Sequence, residues 1–144
     1  MSSSAREVYR AIDALDASVV LDPELRELVK LRASQLNGCA WCVDQHSSDA
    51  HAGGEHERRI WALSVWRETP FFDARERAAL ALTEAMTLLP AQGVPDDVYA
   101  EAARRFPEDE LGNLMGAIIA INAWNRVGVA TGMQPPAIAE EALA

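Results

Sequence analysis

The chain has little cysteine, little histidine and no long apolar run, and each shortage narrows what it can be. Two cysteines, Cys39 and Cys42, and three histidines, His46, His51 and His56, are all that 144 residues contain. One close pair of cysteines is too sparse for a disulfide-stapled secreted framework. No apolar stretch approaches the roughly 18 to 20 residues that a membrane-spanning helix needs. The start, Met1-Ser2-Ser3-Ser4, is polar and is not followed by the apolar core of a signal peptide, so a cytoplasmic location is expected. Basic residues are scarce too: 13 Lys and Arg against 22 Asp and Glu leave a net charge of -9. That balance argues against binding a phosphate backbone or an anionic membrane, both of which need clustered Lys and Arg. No glycine-rich strand-to-helix motif suggests a nicotinamide or flavin, so no cofactor is expected. The chain carries no repeat at a fixed period and no inter-domain linker.

What is present reads as one helical domain over residues 1–144, its core about 21–132. At 49% hydrophobic and 24% charged, the chain can bury a core of its own. Ser4 is placed to cap a first helix whose apolar residues Val8, Ile12, Leu15 and Val19 recur every three to four positions. Asp22-Pro23-Glu24 opens a second, with an N-cap carboxylate, a proline at the first position and an acid in the first turn. It carries Leu25, Leu28, Val29 and Leu36 and ends at Asn37-Gly38. A third starts near Cys39 and reaches Ala52, before Gly53-Gly54. Ile60, Trp61, Leu63 and Trp66 mark a fourth, closed by Thr69-Pro70. Asp73 and Glu76 form a capping-box pattern for a fifth, which Pro90 ends. Pro95-Asp96-Asp97 opens a sixth, and Pro107-Glu108 a last long one to about Ala130. The apolar run Leu114 to Ile121 in that last helix predicts burial on several sides. The expected fold is an all-α bundle of about six to seven helices.

The stretch Asn37-Gly38-Cys39-Ala40-Trp41-Cys42-Val43-Asp44-Gln45-His46 concentrates the chemistry. On a helix, Cys39, Cys42 and His46 fall at i, i+3 and i+7 and share one face. Near the helix start both thiols meet unpaired N–H groups and the positive end of the macrodipole, which favour thiolate. An imidazole is the side chain best suited to deprotonating a thiol near neutral pH, and Cys42 is the nearer thiol to His46 by one turn. In a reducing compartment such a pair is catalytic, redox-sensing or metal-binding. For metal binding, Cys39, Cys42 and His46 could be ligands, with His51, His56 or a carboxylate as the fourth. A closed zinc site, however, usually draws on two chain segments, and no second cysteine pair exists. By residue type alone, His51 and His56 read as exposed, and Trp61, Trp66 and Trp124 as core or interface aromatics. Asn122 and Asn125 read as satisfied buried amides.

Glu27, followed by Leu31-Arg32-Ala33-Ser34-Gln35-Leu36-Asn37-Gly38-Cys39-Ala40-Trp41-Cys42 and then His46, resembles the alkylhydroperoxidase D-like proteins of the carboxymuconolactone decarboxylase superfamily. Asp73 to Leu82 and Ile121-Asn122-Ala123-Trp124-Asn125-Arg126 share the resemblance, which runs from about Leu21 to Gly132. It implies an all-helical fold assembled into homo-oligomers such as trimers or hexamers. It further implies that Cys42 attacks a hydroperoxide, Cys39 resolves the product as a disulfide, and His46 is the base. Glu27 would hold and polarise His46, through a water; without the resemblance, Glu27 beside Arg26 and Lys30 reads as solvated surface. The implied partners are a hydroperoxide and an external dithiol of lipoyl or thioredoxin-like type. Trp41 departs from the histidine that some peroxidase members carry between the cysteines. The alternatives are the decarboxylase branch, acting on a small lactone acid, and a non-catalytic or metal-binding helical module.

Overall fold

In a computed structural model the chain is described over residues 3–139 and 142, and among these every regular element is helical. The helices are α1 (Ser3–Ser18), α2 (Pro23–Asn37), α3 (Ala40–Ala52), α4 (Glu57–Ala62), α5 (Ala74–Thr87), α6 (Leu89–Gln92), α7 (Asp96–Arg105) and α8 (Glu108–Thr131), with a 3-10 segment at Leu63–Glu68. The all-α expectation holds, with more pieces than the expected six to seven. Two departures account for the difference. The fourth helix does not run unbroken to Thr69: Val65 leaves helical geometry at φ -123° and ψ 29°, and the segment tightens into 3-10 turns. At three residues per turn Leu63 and Trp66 line up, and both are buried. Pro90, expected to end the fifth helix, instead sits in the first turn of α6, after α5 has closed at Thr87. A missing N–H costs nothing in a first turn.

The start signals at Asp22 and Asp73 work as read, and so does the stop at Gly38. The Asp22 carboxylate accepts from Leu25 N–H at 3.0 Å, capping α2. Glu76 N–H donates to Asp73 Oδ1 at 2.8 Å while Asp73 N–H donates to Glu76 Oε2 at 2.8 Å, which completes the capping box. Gly38 ends α2 in the left-handed region at φ 70°. Helix α1 begins at Ser3, so Ser4 lies within it rather than ahead of it.

Helix α2 is the centre of the bundle, packed against α3, α5 and α8. One side of it joins Leu25 and Val29 to Leu82, Phe106, Leu114 and Ile118; the other joins Leu28 and Leu31 to Leu63, Trp66, Phe72 and Leu80. Burying each of these large side chains contributes about 1.5–3 kcal/mol. Within the apolar run of α8, Leu114, Ala117, Ile118, Ala120 and Ile121 are buried, but Ile119 is half exposed. The run is therefore not covered all round. Helix α1 packs on α8 with its expected apolar stripe only partly covered, since Val8 and Leu15 face solvent. No helix among the described residues is long and apolar enough to cross a membrane.

Candidate functional site

Two residues separate the axes of α2 and α3, and the cysteine chemistry is built on that break. Gly38 turns the chain, Cys39 N–H donates back to Ser34 C=O at 3.2 Å, and Cys39 takes the N-cap position of α3. Cys39 Sγ accepts from Cys42 N–H at 3.4 Å, so a sulfur does the capping that an oxygen usually does. One turn on, Cys42 is brought to within 5.3 Å of Cys39, Cα to Cα, and the two are joined as a disulfide. Both are buried, at 1% and 3% exposure. On reduction, the thiol of Cys42 would stand in the first turn of α3, where the helix N-terminus favours negative charge.

His46 follows one turn after Cys42, and its Nδ1 lies 2.8 Å from Glu27 Oε2 on α2. The contact is direct, where the sequence reading expected a water. With the carboxylate as acceptor, Nδ1 carries the hydrogen, and in the neutral imidazole that tautomer leaves the lone pair on Nε2. The pair is largely enclosed, at 12% and 21% side-chain exposure, so Glu27 is not the solvated surface residue its local sequence suggests. Asp49 joins them: one ligand-type atom each from Glu27, His46 and Asp49 lies within 4.8 Å of the others. Asp49 also accepts from Gln45 Nε2 at 2.9 Å. The ligand set read from sequence is not assembled this way. The sulfurs are bonded to each other, His51 and His56 are exposed, and His56 caps α4 by accepting from Arg58 N–H at 3.1 Å.

Cys42 and His46 open on one cavity of about 270 Å³. Trp41, Ile121, Trp124 and Met133 give it an apolar wall; Asp13, Asp16, Lys30 and Gln45 give it a polar one. A second cavity of about 370 Å³ is lined by Glu27, Asp49 and Lys30 among others, and shares Lys30 with the first. Between them Lys30, itself buried, donates to Asp16 Oδ2 at 2.7 Å, and Arg26 approaches the same oxygen at 3.1 Å. Burial alone would raise the Asp16 carboxyl, but Lys30 and Arg26 outweigh it and hold it below its ordinary value.

Helix α8 closes the site, and sequence reasoning missed how. A Cβ on Gly128 would lie 2.8 Å from Cys39 Sγ and 3.7 Å from Cys42 Sγ, so only glycine lets the helix lie against the disulfide. Gly132, left-handed at φ 65°, reverses the chain, and Met133 N–H donates to Gly128 C=O at 2.9 Å. That brings Met133 back to the cavity wall. The asparagines do more than satisfy themselves. Asn37 Nδ2 donates to Asn122 Oδ1 at 3.0 Å and Asn125 Oδ1 at 2.8 Å, and Asn125 Nδ2 donates to Ser34 Oγ at 3.0 Å. The network ties the turn before Cys39 to α8. Its one sequence signal was polar side chains inside an otherwise apolar helix. Of the tryptophans, Trp66 is core, Trp61 is 70% exposed, and Trp41 and Trp124 line the cavity.

Residues 6–85 match the carboxymuconolactone decarboxylase family. The sequence is 46% identical to the protein YdfG of Bacillus subtilis over 107 residues, 74% of this chain and 73% of that one. It is 33% identical to YnjA of Escherichia coli over 98 residues, 68% of this chain but 53% of the relative, so it spans about half of that protein's length. Among solved structures, a protein of unknown function from Agrobacterium tumefaciens, put forward as an antioxidant defence protein AhpD, superposes with a TM-score of 0.89. Identity to it is 38%, covering 92% of this chain and 93% of that one.

Proposed function

The chain belongs to the carboxymuconolactone decarboxylase family, with an alkylhydroperoxidase D-like fold, and from that premise we propose that it is a thiol-dependent peroxidase. The observation that carries the reading is the shared cavity: the disulfide cysteine Cys42 and His46 face one space, and Glu27 fixes the imidazole. The likeness to the Agrobacterium protein supports it.

In the reduced protein, His46 Nε2 takes the proton of the Cys42 thiol, and Glu27 stabilises the imidazolium through Nδ1. The thiolate attacks the outer oxygen of a hydroperoxide. An S–O bond forms, the O–O bond breaks, and the departing alkoxide takes the proton from His46 and leaves as alcohol. Cys42 is then a sulfenic acid. The Cys39 sulfur attacks the Cys42 sulfur, the S–O bond breaks, and the hydroxyl leaves as water with the proton of the Cys39 thiol, so that the disulfide results. An external dithiol, of lipoyl or thioredoxin-like type, reduces that disulfide by exchange and is itself oxidised. The hydroperoxide gains the two electrons that the dithiol loses. Chain-wide, the reading is of one domain over residues 1–144, cytoplasmic and homo-oligomeric, in which a second copy would cover exposed apolar residues of α8 such as Ile119 and Val129.

The test is a single turnover. The reduced protein is given one equivalent of an alkyl hydroperoxide, and thiols and intact mass are measured. Wild type should lose both thiols and the mass of two hydrogens. Cys39→Ser should stop with one oxygen added at Cys42, and Cys42→Ser should not react. Two thiols that persist in the wild type would end the peroxidase reading, and reactivity in Cys42→Ser but not Cys39→Ser would reverse the roles.

A further inference from the structure

Helix α1 and the residues just after α8 both contribute to the cavity over Cys42, and they give it a particular character. From α1, Asp13 and Asp16 reach the polar wall, and Tyr9 stacks on Trp124 with ring centroids 6.0 Å apart and planes inclined by 28°. From beyond α8, Met133, whose N–H donates to Gly128 C=O, joins the lining. Trp41, in the first turn of α3, and Ile121 complete the apolar face. An aromatic face backed by a second ring is stiff, and it favours a flat apolar group over a chain of freely rotating methylenes.

The charges are as informative as the apolar wall. Lys30 is the one lysine or arginine among the described residues lining this space, and its ammonium is taken by Asp16 at 2.7 Å. Asp16 is kept ionised by that contact and by Arg26, which lies outside the lining. Asp13 is exposed, forms no ion pair among the described residues, and lines the cavity. Glu27 and Asp49, behind His46, add negative charge on the far side. A substrate carboxylate entering here would meet Asp13, and apart from the His46 imidazole, which the peroxidase reading commits to the Cys42 thiol, no basic group of the lining is free to receive it.

We propose that this cavity selects neutral hydroperoxides bearing a compact aromatic group and discriminates against carboxylates, with Asp13 a specificity-determining residue. The inference rests on the peroxidase reading for its reaction but not for its charge selection. It also bears on the lactone branch of the family, because a lactone acid is an anion that this wall would repel.

A matched pair of probes tests it: cumene hydroperoxide and its para-carboxylate, which differ by one charge at one end. The rate of oxidation of the reduced protein is measured with each, and the readout is their ratio within one protein. Wild type should favour the neutral peroxide by about three- to tenfold at low salt, the effect expected of one exposed charge several ångströms away. Added salt should narrow the ratio. Asp13→Lys should narrow or invert it. Equal rates in the wild type, or a ratio unmoved in Asp13→Lys, would overturn the proposal while leaving the peroxidase reading intact. A second pair needs no peroxide chemistry: iodoacetamide against iodoacetate on the reduced thiols, each rate divided by that for glutathione. If no peroxide reacts, the peroxidase reading falls; a preference for iodoacetamide that Asp13→Lys removes would still uphold charge selection, and no preference would end it.

Discussion

Gly128 faces the Cys39–Cys42 disulfide so closely that a methyl group on its Cα would stand 2.8 Å from Cys39 Sγ. Two effects of Gly128→Ala then oppose each other. Alanine is favoured in a helix by about 1 kcal/mol, whereas overpacking a closed site costs about 1–3 kcal/mol. The sulfur near Gly128 is tied into a small ring, so the clash should win in the oxidised protein. In the dithiol the sulfurs can rotate apart, and the helix gain should largely offset the strain. We therefore expect a lower thermal midpoint for oxidised Gly128→Ala, little change when reduced, and a thiol–disulfide equilibrium displaced toward the dithiol. Equal shifts of the midpoint in both states would show that Gly128 does not discriminate between them.

In the proposed mechanism Glu27 acts on the thiol only through His46, which it contacts at 2.8 Å, and this gives its role a signature. A general base is worth about 10²–10⁴ in rate, so His46→Ala should slow oxidation of the reduced protein by that order. Glu27→Gln keeps an acceptor for Nδ1–H but removes the charge that stabilises the imidazolium, and should cost about tenfold or more. Residues acting as a unit are not additive. The double variant should be no slower than His46→Ala alone. Additive losses in stopped-flow rates would mean that Glu27 acts independently of the imidazole.

What the sequence revealed follows from how far each feature extends along the chain. Cys39, Cys42 and His46 sit on one helix start, so spacing alone places them on one face; the Asp22 and Asp73 caps are equally local. The contact of Glu27 with His46 crosses the Gly38 turn, and only the packing of α2 on α3 creates it. A family resemblance pointed to it, while local chemistry pointed to solvent. Gly128 and Met133 carry no local mark at all, because their meaning is the distance between α8 and a sulfur far away in sequence. Pro90 misled for the opposite reason: a proline signals a break but not whether it follows one helix or starts another.

Glu84 predicts how the fold responds to acid. Burial would raise its carboxyl, but hydrogen bonds from Arg67, Trp66 and Arg32 outweigh burial and hold it below its ordinary value of about 4.5. Trp66 Nε1 and Arg32 Nε both donate to Oε1 at 2.8 Å, and Arg67 reaches Oε2. A carboxyl whose value is lower folded than unfolded contributes stability that is complete above the unfolded value and fades as pH falls through the folded one. Asp16 acts in the same direction through Lys30 and Arg26. Glu84→Gln keeps an acceptor for one donor and loses the charge that holds Arg32, which is only 12% exposed. At neutral pH the variant should be less stable than wild type by about 1–3 kcal/mol. In denaturant unfolding carried from about pH 7 down to about pH 3, the two proteins should converge as the wild-type carboxyl takes up its proton. A gap that stays constant over that range would mean the Glu84 charge adds nothing beyond its shape.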